Sequence, residues 1–209
     1  MKDLFKGCWT IPNLLSFLRI VIVPFFAYFF LNNQLTLAVV MLALSGISDF
    51  LDGKIARKFN QISALGKVLD PVADKLTQIT LAVLLFYTFS KSEDATLKAF
   101  SWVFLVFILK EAIMVIGGAI MLMFNIRPVA AEFYGKLATF AFYTIMILIV
   151  AFGPEIGVFR ETLFQLPPVV MMILVAISAI LTIVAFLSYM PGTFRQFKEY
   201  KTNKNSQES

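Results

Sequence analysis

Six apolar stretches, each about as long as a helix that crosses a lipid bilayer, run along this chain of 209 residues. A helical crossing takes roughly 20 apolar residues, because the backbone polar groups must be satisfied within the segment. Hydrophobic residues make up 59% of the chain, so a single soluble core could not bury them. The sequence therefore predicts an all-α integral membrane protein with six transmembrane helices. The predicted spans are Leu14–Leu31, Leu35–Leu51, Val68–Ser90, Ala99–Phe124, Leu137–Phe152 and Val169–Met190.

The rest of the chain adds little beyond these spans. No linker, low-complexity tract or internal repeat interrupts the sequence, which favours a single domain over residues 1–209. At the N-terminus, Leu4, Phe5 and Trp9 alternate with Lys2 and Lys6, a pattern typical of a short helix lying on the bilayer surface. We therefore expect an interfacial helix before the first span.

The distribution of lysine and arginine predicts the orientation in the membrane. If both termini are cytosolic, nearly all the cations of the connecting segments fall on the cytosolic side, as membrane proteins generally arrange them. That side would hold Lys2, Lys6, Lys54, Arg57, Lys58, Lys67, Lys75, Arg127, Lys136, Arg195, Lys198, Lys201 and Lys204. The other side would keep Lys91, Lys98 and Arg160. The net charge of +5 then indicates contact with anionic lipid head groups, and we expect no nucleic-acid binding.

Four aspartates lie at the ends of two predicted spans, where charged groups are costly and usually functional. Asp49 and Asp52 are three residues apart at the end of the second helix, and Asp70 and Asp74 are four apart at the start of the third. Residues with these spacings share a helix face. The intervening segment 54–67 is short enough to bring the two helix ends together. We therefore expect the four carboxylates to converge on one spot at the cytosolic surface.

Four converging carboxylates would repel one another unless they were partly protonated or held cations. Oxygen ligands in a chain with no histidine and a single cysteine favour Mg²⁺, Mn²⁺ or Ca²⁺ over zinc or copper. The absence of histidine also means that an aspartate would have to serve as any general base. Isolated aspartates near helix ends can instead be helix caps or ion-pair partners, and Asp70, which precedes Pro71, could simply cap the third helix.

Small residues and an arginine accompany the acids. Gly53, Ala56 and Gly66 remove side-chain bulk, which would let a ligand approach the backbone closely. Arg57 offers a forked donor suited to phosphate. Carboxylates, a divalent metal, glycines and an arginine together are typical of a site that handles a pyrophosphate.

The spacing of these residues resembles the signature of the CDP-alcohol phosphotransferase family. The matching pattern is Asp49-x-x-Asp52-Gly53-x-x-Ala56-Arg57, eight residues, then Gly66-x-x-x-Asp70-x-x-x-Asp74. The resemblance implies a membrane enzyme with six helices, usually a homodimer, that uses a CDP-activated lipid and releases CMP. It also implies a cofactor of one or two divalent ions, Mg²⁺ or Mn²⁺.

The same resemblance implies roles for individual residues. Asp49, Asp52 and Asp70 would hold the metal on the CDP pyrophosphate, and Asp74 would be a further ligand and the base that takes the proton of the acceptor hydroxyl. The residues implied to bind the cytidine diphosphate are Asp49, Asp52, Gly53, Ala56, Arg57 and Gly66.

The acceptor alcohol is less well defined by sequence. Segments 11–19 and 69–76 resemble bacterial phosphatidylglycerophosphate synthases, which use glycerol 3-phosphate and lie in the cytoplasmic membrane. Related cardiolipin synthases, which use phosphatidylglycerol, have the same two sequence segments. Lys110, Arg127 and Lys136 are our candidate ligands of an acceptor phosphate, although each could equally be a surface anchor.

Glycerol 3-phosphate is the acceptor that we predict, but two departures from the synthase pattern weaken this assignment and raise the alternative of a lipid acceptor. Lys110-Glu111 replaces an Arg-Glu pair, and Gly117-Gly118 replaces a later arginine and is interpreted as a close helix contact. A membrane transporter remains an alternative of a different class. It would more commonly place its acids at the bilayer midplane and show inverted repeats.

Overall fold

The computed structural model describes residues 10–59, 63, 66–123 and 133–208. Within these ranges the chain is all-helical, with no β-strand, as the sequence predicts. The helices are α1 (Ile11–Leu31), α2 (Leu35–Lys58), α3 (Gly66–Ser90), α4 (Ala95–Phe100), α5 (Val103–Met123), α6 (Phe133–Phe152) and α7 (Pro168–Glu208). The expected interfacial helix falls in residues 1–9 and so lies outside the described residues.

Five segments of the described chain are long and apolar enough to cross a membrane. They are Ile11–Leu31, Leu69–Ser90, Ala95–Gly118, Tyr134–Phe152 and Pro168–Gln196. The remaining candidate, α2, contributes the shorter apolar helix Leu35–Asp49 to the described residues, and α2 itself continues to Lys58. The count of six crossings therefore stays a prediction.

The core of the bundle lies around α3, which packs against α1 on one side and α5 on the other, while α6 packs against α7. Aromatic rings join these helices. Phe89 of α3 stacks on Phe104 of α5 with ring centroids 5.9 Å apart, and Phe107 of α5 contacts Phe142 of α6 at 5.1 Å. Such pairs add to the burial of apolar area. Many large apolar side chains on the outer surface are exposed, as expected where lipid is the neighbour.

The buried face of helix α1 changes from polar to apolar along its length. The helix begins after Thr10, whose Oγ1 accepts the N–H of Asn13 at 3.3 Å, with Pro12 in the first turn. Both are favourable features of a helix start. The buried face is polar near this start, at Asn13, Ser16 and Arg19, and apolar beyond it. The polar part of this face is what positions the candidate site.

The segment 153–167 caps the other end of the bundle by folding back on the end of α6. It supplies N–H donors to the last four carbonyl groups of that helix, which have no partner within the helix. The pairs are Gly153 to Ile149, Val158 to Val150, Phe159 to Ala151 and Leu166 to Phe152, at N···O distances of 2.7, 3.3, 2.9 and 2.7 Å. Ser92, after α3, donates to Glu155 Oε1 at 2.5 Å and ties this cap to α3.

Two kinds of glycine occur in the bundle. A Cβ at Gly157 would lie 2.6 Å from the Gly153 carbonyl oxygen and 2.7 Å from the Phe152 carbonyl carbon, so only glycine fits this turn. By contrast, a Cβ at Gly117 or Gly118 would have no atom of the described chain within 4 Å. Among the described residues, the prediction that this glycine pair forms a close helix contact is therefore wrong, because none of their atoms approaches this part of α5.

Gly157→Ala should lower the thermal midpoint of the detergent-solubilised protein. The new methyl group meets backbone atoms that cannot rotate away, and overpacking of this kind costs about 1–3 kcal/mol. Gly118→Ala is the matched control and should leave the midpoint unchanged. An equal fall in both variants, measured by thermal unfolding in the same detergent, would contradict this account of the cap.

Candidate active site

Three of the four aspartates come together where α2 and α3 meet. One carboxylate oxygen from each of Asp49, Asp52 and Asp70 lies within 4.8 Å of the other two. The side chain of Asp52 is buried, whereas those of Asp49 and Asp70 are 49% and 52% exposed. We call these three residues the aspartate triad. It is closed on the side of Asp52 and open on the side of the other two acids.

Arg19 of α1 reaches into the aspartate triad and bonds all three of its members. Its Nη1 lies 2.8 Å from Asp49 Oδ1 and 3.4 Å from Asp70 Oδ1, and its Nη2 forms an ion pair with Asp52 Oδ2. The arginine side chain is only 1% exposed. A buried charge is tolerated only when it is paired and hydrogen-bonded, and Arg19 meets that condition through three helices at once. The interpretation of the acids as ion-pair partners is therefore correct in part.

The same face of α1 fixes the start of α3. Ser63 Oγ donates to Asn13 Oδ1 at 2.9 Å and accepts the N–H of Gly66 at 2.9 Å. A Cβ on Gly66 would collide with Asn13 Oδ1 and lie 3.1 Å from Ser63 Oγ. Gly66 thus allows α3 to begin against α1. Because α3 begins there, Asp70 lies inside the helix, and its interpretation as an N-cap is wrong.

Asp74 stands apart from the aspartate triad, one helical turn beyond Asp70, and both of its oxygens have donors. The Tyr143 hydroxyl of α6 donates to Asp74 Oδ1 at 2.9 Å, and Gln78 Nε2 donates to Oδ2 at 2.9 Å. Lys75 Nζ lies 3.8 Å from the same Oδ2. The carboxylate is therefore held in a fixed orientation between α3 and α6. The structure does not bring Asp74 into the group of ligand atoms formed by the other three acids.

Two lysines share one buried carboxylate beside Asp74. Glu111 of α5 is 2% exposed; its Oε2 lies 2.7 Å from Lys75 Nζ, and its Oε1 forms an ion pair with Lys110. The two lysine side chains are only partly exposed. This second group of charges joins α3 to α5 and places two cations next to the last aspartate.

The other predicted site residues occupy more scattered positions. Gly53, Ala56 and Arg57 lie on α2 directly after Asp52. Lys136 is exposed near the start of α6. A Cβ on its neighbour Gly135 would collide with the Tyr189 hydroxyl of α7, so that glycine has a packing role. Arg127 lies outside the described residues. Among the candidate ligands for an acceptor phosphate that lie in the described residues, Lys110 pairs with the buried Glu111 beside Lys75.

The aspartate triad fits a hard divalent cation. Its donor set consists of carboxylate oxygens alone, and Mg²⁺, Mn²⁺ and Ca²⁺ prefer such ligands. The half-exposed positions of Asp49 and Asp70 leave one side open for water or a substrate oxygen. Three carboxylates against one guanidinium also leave a local excess of negative charge, which a cation would neutralise.

Arg19 and Tyr143 are site residues that sequence reasoning missed. For Arg19 a signal was present, because an arginine in an otherwise apolar membrane helix needs a buried acidic partner. Nothing in the sequence singled out Tyr143 among the six tyrosines, since its importance depends on how α6 packs on α3.

Comparison with known proteins points to one family. Residues 9–184 match the model of the family described as CDP-alcohol phosphatidyltransferase. The chain is 30% identical over 191 residues to the CDP-diacylglycerol--glycerol-3-phosphate 3-phosphatidyltransferase of Aquifex aeolicus. This alignment covers 91% of this chain and 99% of that protein.

Proteins named cardiolipin synthase are also similar to this chain. The chain is 38% identical over 151 residues to the cardiolipin synthase (CMP-forming) of Streptomyces coelicolor, which covers 69% of this chain and 66% of that protein. It is 46% identical over 86 residues to human cardiolipin synthase (CMP-forming), but this alignment covers 41% of this chain and only 29% of the human protein. The family match extends over most of the chain and includes the aspartate triad, Arg19 and Asp74, and the chain therefore belongs to the CDP-alcohol phosphatidyltransferase family.

Proposed function

We propose that this chain transfers the phosphatidyl group of CDP-diacylglycerol to the hydroxyl of glycerol 3-phosphate, forming phosphatidylglycerophosphate and releasing CMP. We place the reaction at the cytosolic face of a bacterial cytoplasmic membrane. One observation carries the proposal: next to a triad of aspartates suited to a metal, a fourth aspartate is held separately beside Lys75, which shares the buried Glu111 with Lys110.

The aspartate triad would bind the donor. In this proposal Asp49, Asp52 and Asp70 hold Mg²⁺ or Mn²⁺ against the diphosphate of CDP-diacylglycerol, and Arg57 lies further along α2 as a donor to phosphate. When bound, the divalent ion neutralises charge on the diphosphate and makes CMP a better leaving group. The acyl chains stay among the apolar side chains of the bundle, while the polar head reaches the open side of the triad.

Asp74 would act as the general base. Its carboxylate takes the proton of the acceptor hydroxyl as that oxygen attacks the phosphatidyl phosphorus, and the bond between this phosphorus and the CMP oxygen breaks. Proton transfer of this kind needs a base held in a fixed position. Tyr143 and Gln78 supply the fixed position by donating to one oxygen each. A carboxylate has further lone pairs, so these bonds leave room for the proton.

Lys75 and Lys110 support the choice of a phosphorylated acceptor. A phosphate group carried by the acceptor needs cations close to the base, and these two ammonium groups converge on Glu111 next to Asp74. Glu111 would hold both lysines in place when no phosphate is bound. Arg127 and Lys136 remain proposed as additional cations for the same phosphate.

Phosphatidylglycerol is the second candidate acceptor. Glu111 already neutralises part of the positive charge of Lys75 and Lys110, which lowers the attraction for a free phosphate. The relative at 38% identity carries the name cardiolipin synthase. An acceptor that is itself a lipid would also reach the site from within the bilayer.

The choice between these acceptors can be tested by measuring CMP release. We expect the purified protein, given CDP-diacylglycerol and Mg²⁺, to release CMP when glycerol 3-phosphate is added and to stop releasing it when EDTA removes the metal. Phosphatidylglycerol alone should give little release. Release that depends on phosphatidylglycerol instead would assign the second candidate, and release with neither would overturn both acceptors.

Asp74→Asn should reduce turnover by at least about a hundredfold, because an amide cannot accept the proton and general-base catalysis is typically worth 10²–10⁴. Tyr143→Phe should reduce turnover less and leave the KM for CDP-diacylglycerol unchanged, since it removes one bond to the base and not the base itself. Tyr28→Phe is the control, because Tyr28 is an exposed tyrosine. Wild-type turnover in Asp74→Asn would rule out this base, and an unchanged kcat in Tyr143→Phe would show that the hydroxyl does not position it.

Lys110→Met should raise the KM for glycerol 3-phosphate by at least about tenfold, in line with the loss of one charge-assisted hydrogen bond. The KM for CDP-diacylglycerol should change little. Lys75 remains to pair with Glu111 in this variant, so the buried carboxylate keeps a partner. Lys98→Met, which changes an exposed lysine in α4, is the matched control. Equal increases in both KM values would mean that Lys110 supports the fold and does not bind the acceptor.

A further inference from the structure

We propose that Arg19 is a built-in counter-ion that holds the aspartate triad together without metal and competes with the divalent cation for the same three carboxylates. This inference rests on the proposed metal site. Arg19 acts in it as a positioning residue, because it works through the acids that it bonds.

The first argument is the position of the charge. Arg19 is 1% exposed on the buried face of α1, and its two terminal nitrogens bond three carboxylates from α2 and α3. Without Arg19, three acids within 4.8 Å of one another would carry three like charges in a partly buried position. Such an arrangement strongly disfavours the charged form of each acid, so the guanidinium is what allows the group to form before any metal arrives.

The second argument is the choice of partners. A divalent cation bound to the aspartate triad would sit among the carboxylates that Arg19 bonds, and the two positive groups would repel each other at short range. The metal ion and the guanidinium would also use lone pairs of the same carboxylate oxygens of the aspartate triad, and these lone pairs point into the same space. Metal binding must therefore weaken at least one of the bonds from Arg19.

The third argument is that Arg19 is not fully satisfied. Its Nε is buried and has no hydrogen-bond partner among the described residues. A purely structural arginine in a buried bridge would be expected to use all its donors, since an unmade bond costs free energy there. The spare donor means that the present bonds of Arg19 do not form a complete network, so one donor is still available for a new partner.

The test is the sign of the change in metal affinity. Arg19→Met keeps the length of the side chain and removes the charge. In EDTA, without metal, this variant should have a lower thermal midpoint than the wild type, because three acids lose their counter-ion. Its affinity for Mn²⁺, measured from the electron paramagnetic resonance signal of free Mn²⁺ without substrates, should rise by at least about tenfold, because a competing positive charge has gone.

Two further variants keep the test decisive. Arg160→Met changes an arginine that bonds Glu155 and Glu161 away from the triad, and it should leave Mn²⁺ affinity unchanged. Arg19→Lys keeps the charge but has fewer donors for three carboxylates, so it should raise the affinity by a smaller factor. It also replaces Arg19→Met in the test if that variant does not fold.

The outcomes separate the two proposals. A folded Arg19 variant with weaker or unchanged Mn²⁺ binding, while the wild type binds Mn²⁺, would overturn the competition and leave the metal site standing. Absence of Mn²⁺ binding in the wild type and in every variant would overturn both. Tighter binding together with a lower metal-free midpoint is the result that supports the proposal, because a merely structural arginine would not strengthen metal binding when removed.

Discussion

A single buried guanidinium determines how the polar end of this bundle is built. Arg19 costs free energy inside a membrane protein unless its charge is paired, and its partners are supplied by two other helices. Breaking such a buried pair lowers the free energy of unfolding by about 3–5 kcal/mol, which is a large share of the total for a typical domain. The packing of α1 on α2 and α3 therefore depends on the acids, and the acids depend on α1 for their counter-ion.

Helix α3 connects the two parts of the site. Asp70 points to the group formed with α1 and α2, while Asp74, one turn further, is held by Tyr143 of α6. The two acids are close in sequence yet have different partners, which suits two different tasks in one reaction. Metal binding needs clustered carboxylates with an open side, whereas a general base needs one carboxylate held in a fixed orientation.

The sequence predicts the convergence of three of the four acids, because their geometry follows from local rules. Helical spacing places Asp49 beside Asp52, and a short connection returns the chain to Asp70, so convergence needs no knowledge of the rest of the fold. The partners of the acids could not be predicted in this way. Tyr143 and Glu111 reach the site only through the packing of α6 and α5 on α3, and sequence periodicity does not encode that register. The prediction of a close helix contact at Gly117-Gly118 of α5 was wrong for the same reason. Such a contact requires a second helix at that position, and the sequence does not specify one.

The central claim is that α1, α2 and α3 build a divalent-cation site from three aspartates. The most direct measurement is anomalous X-ray scattering from crystals of the wild-type protein soaked in Mn²⁺. The account predicts an anomalous peak at coordination distance from carboxylate oxygens of Asp49, Asp52 and Asp70, about 2.0–2.5 Å for hard cations with oxygen ligands. An absence of any peak there at saturating Mn²⁺, or a peak bound by other residues alone, would contradict it.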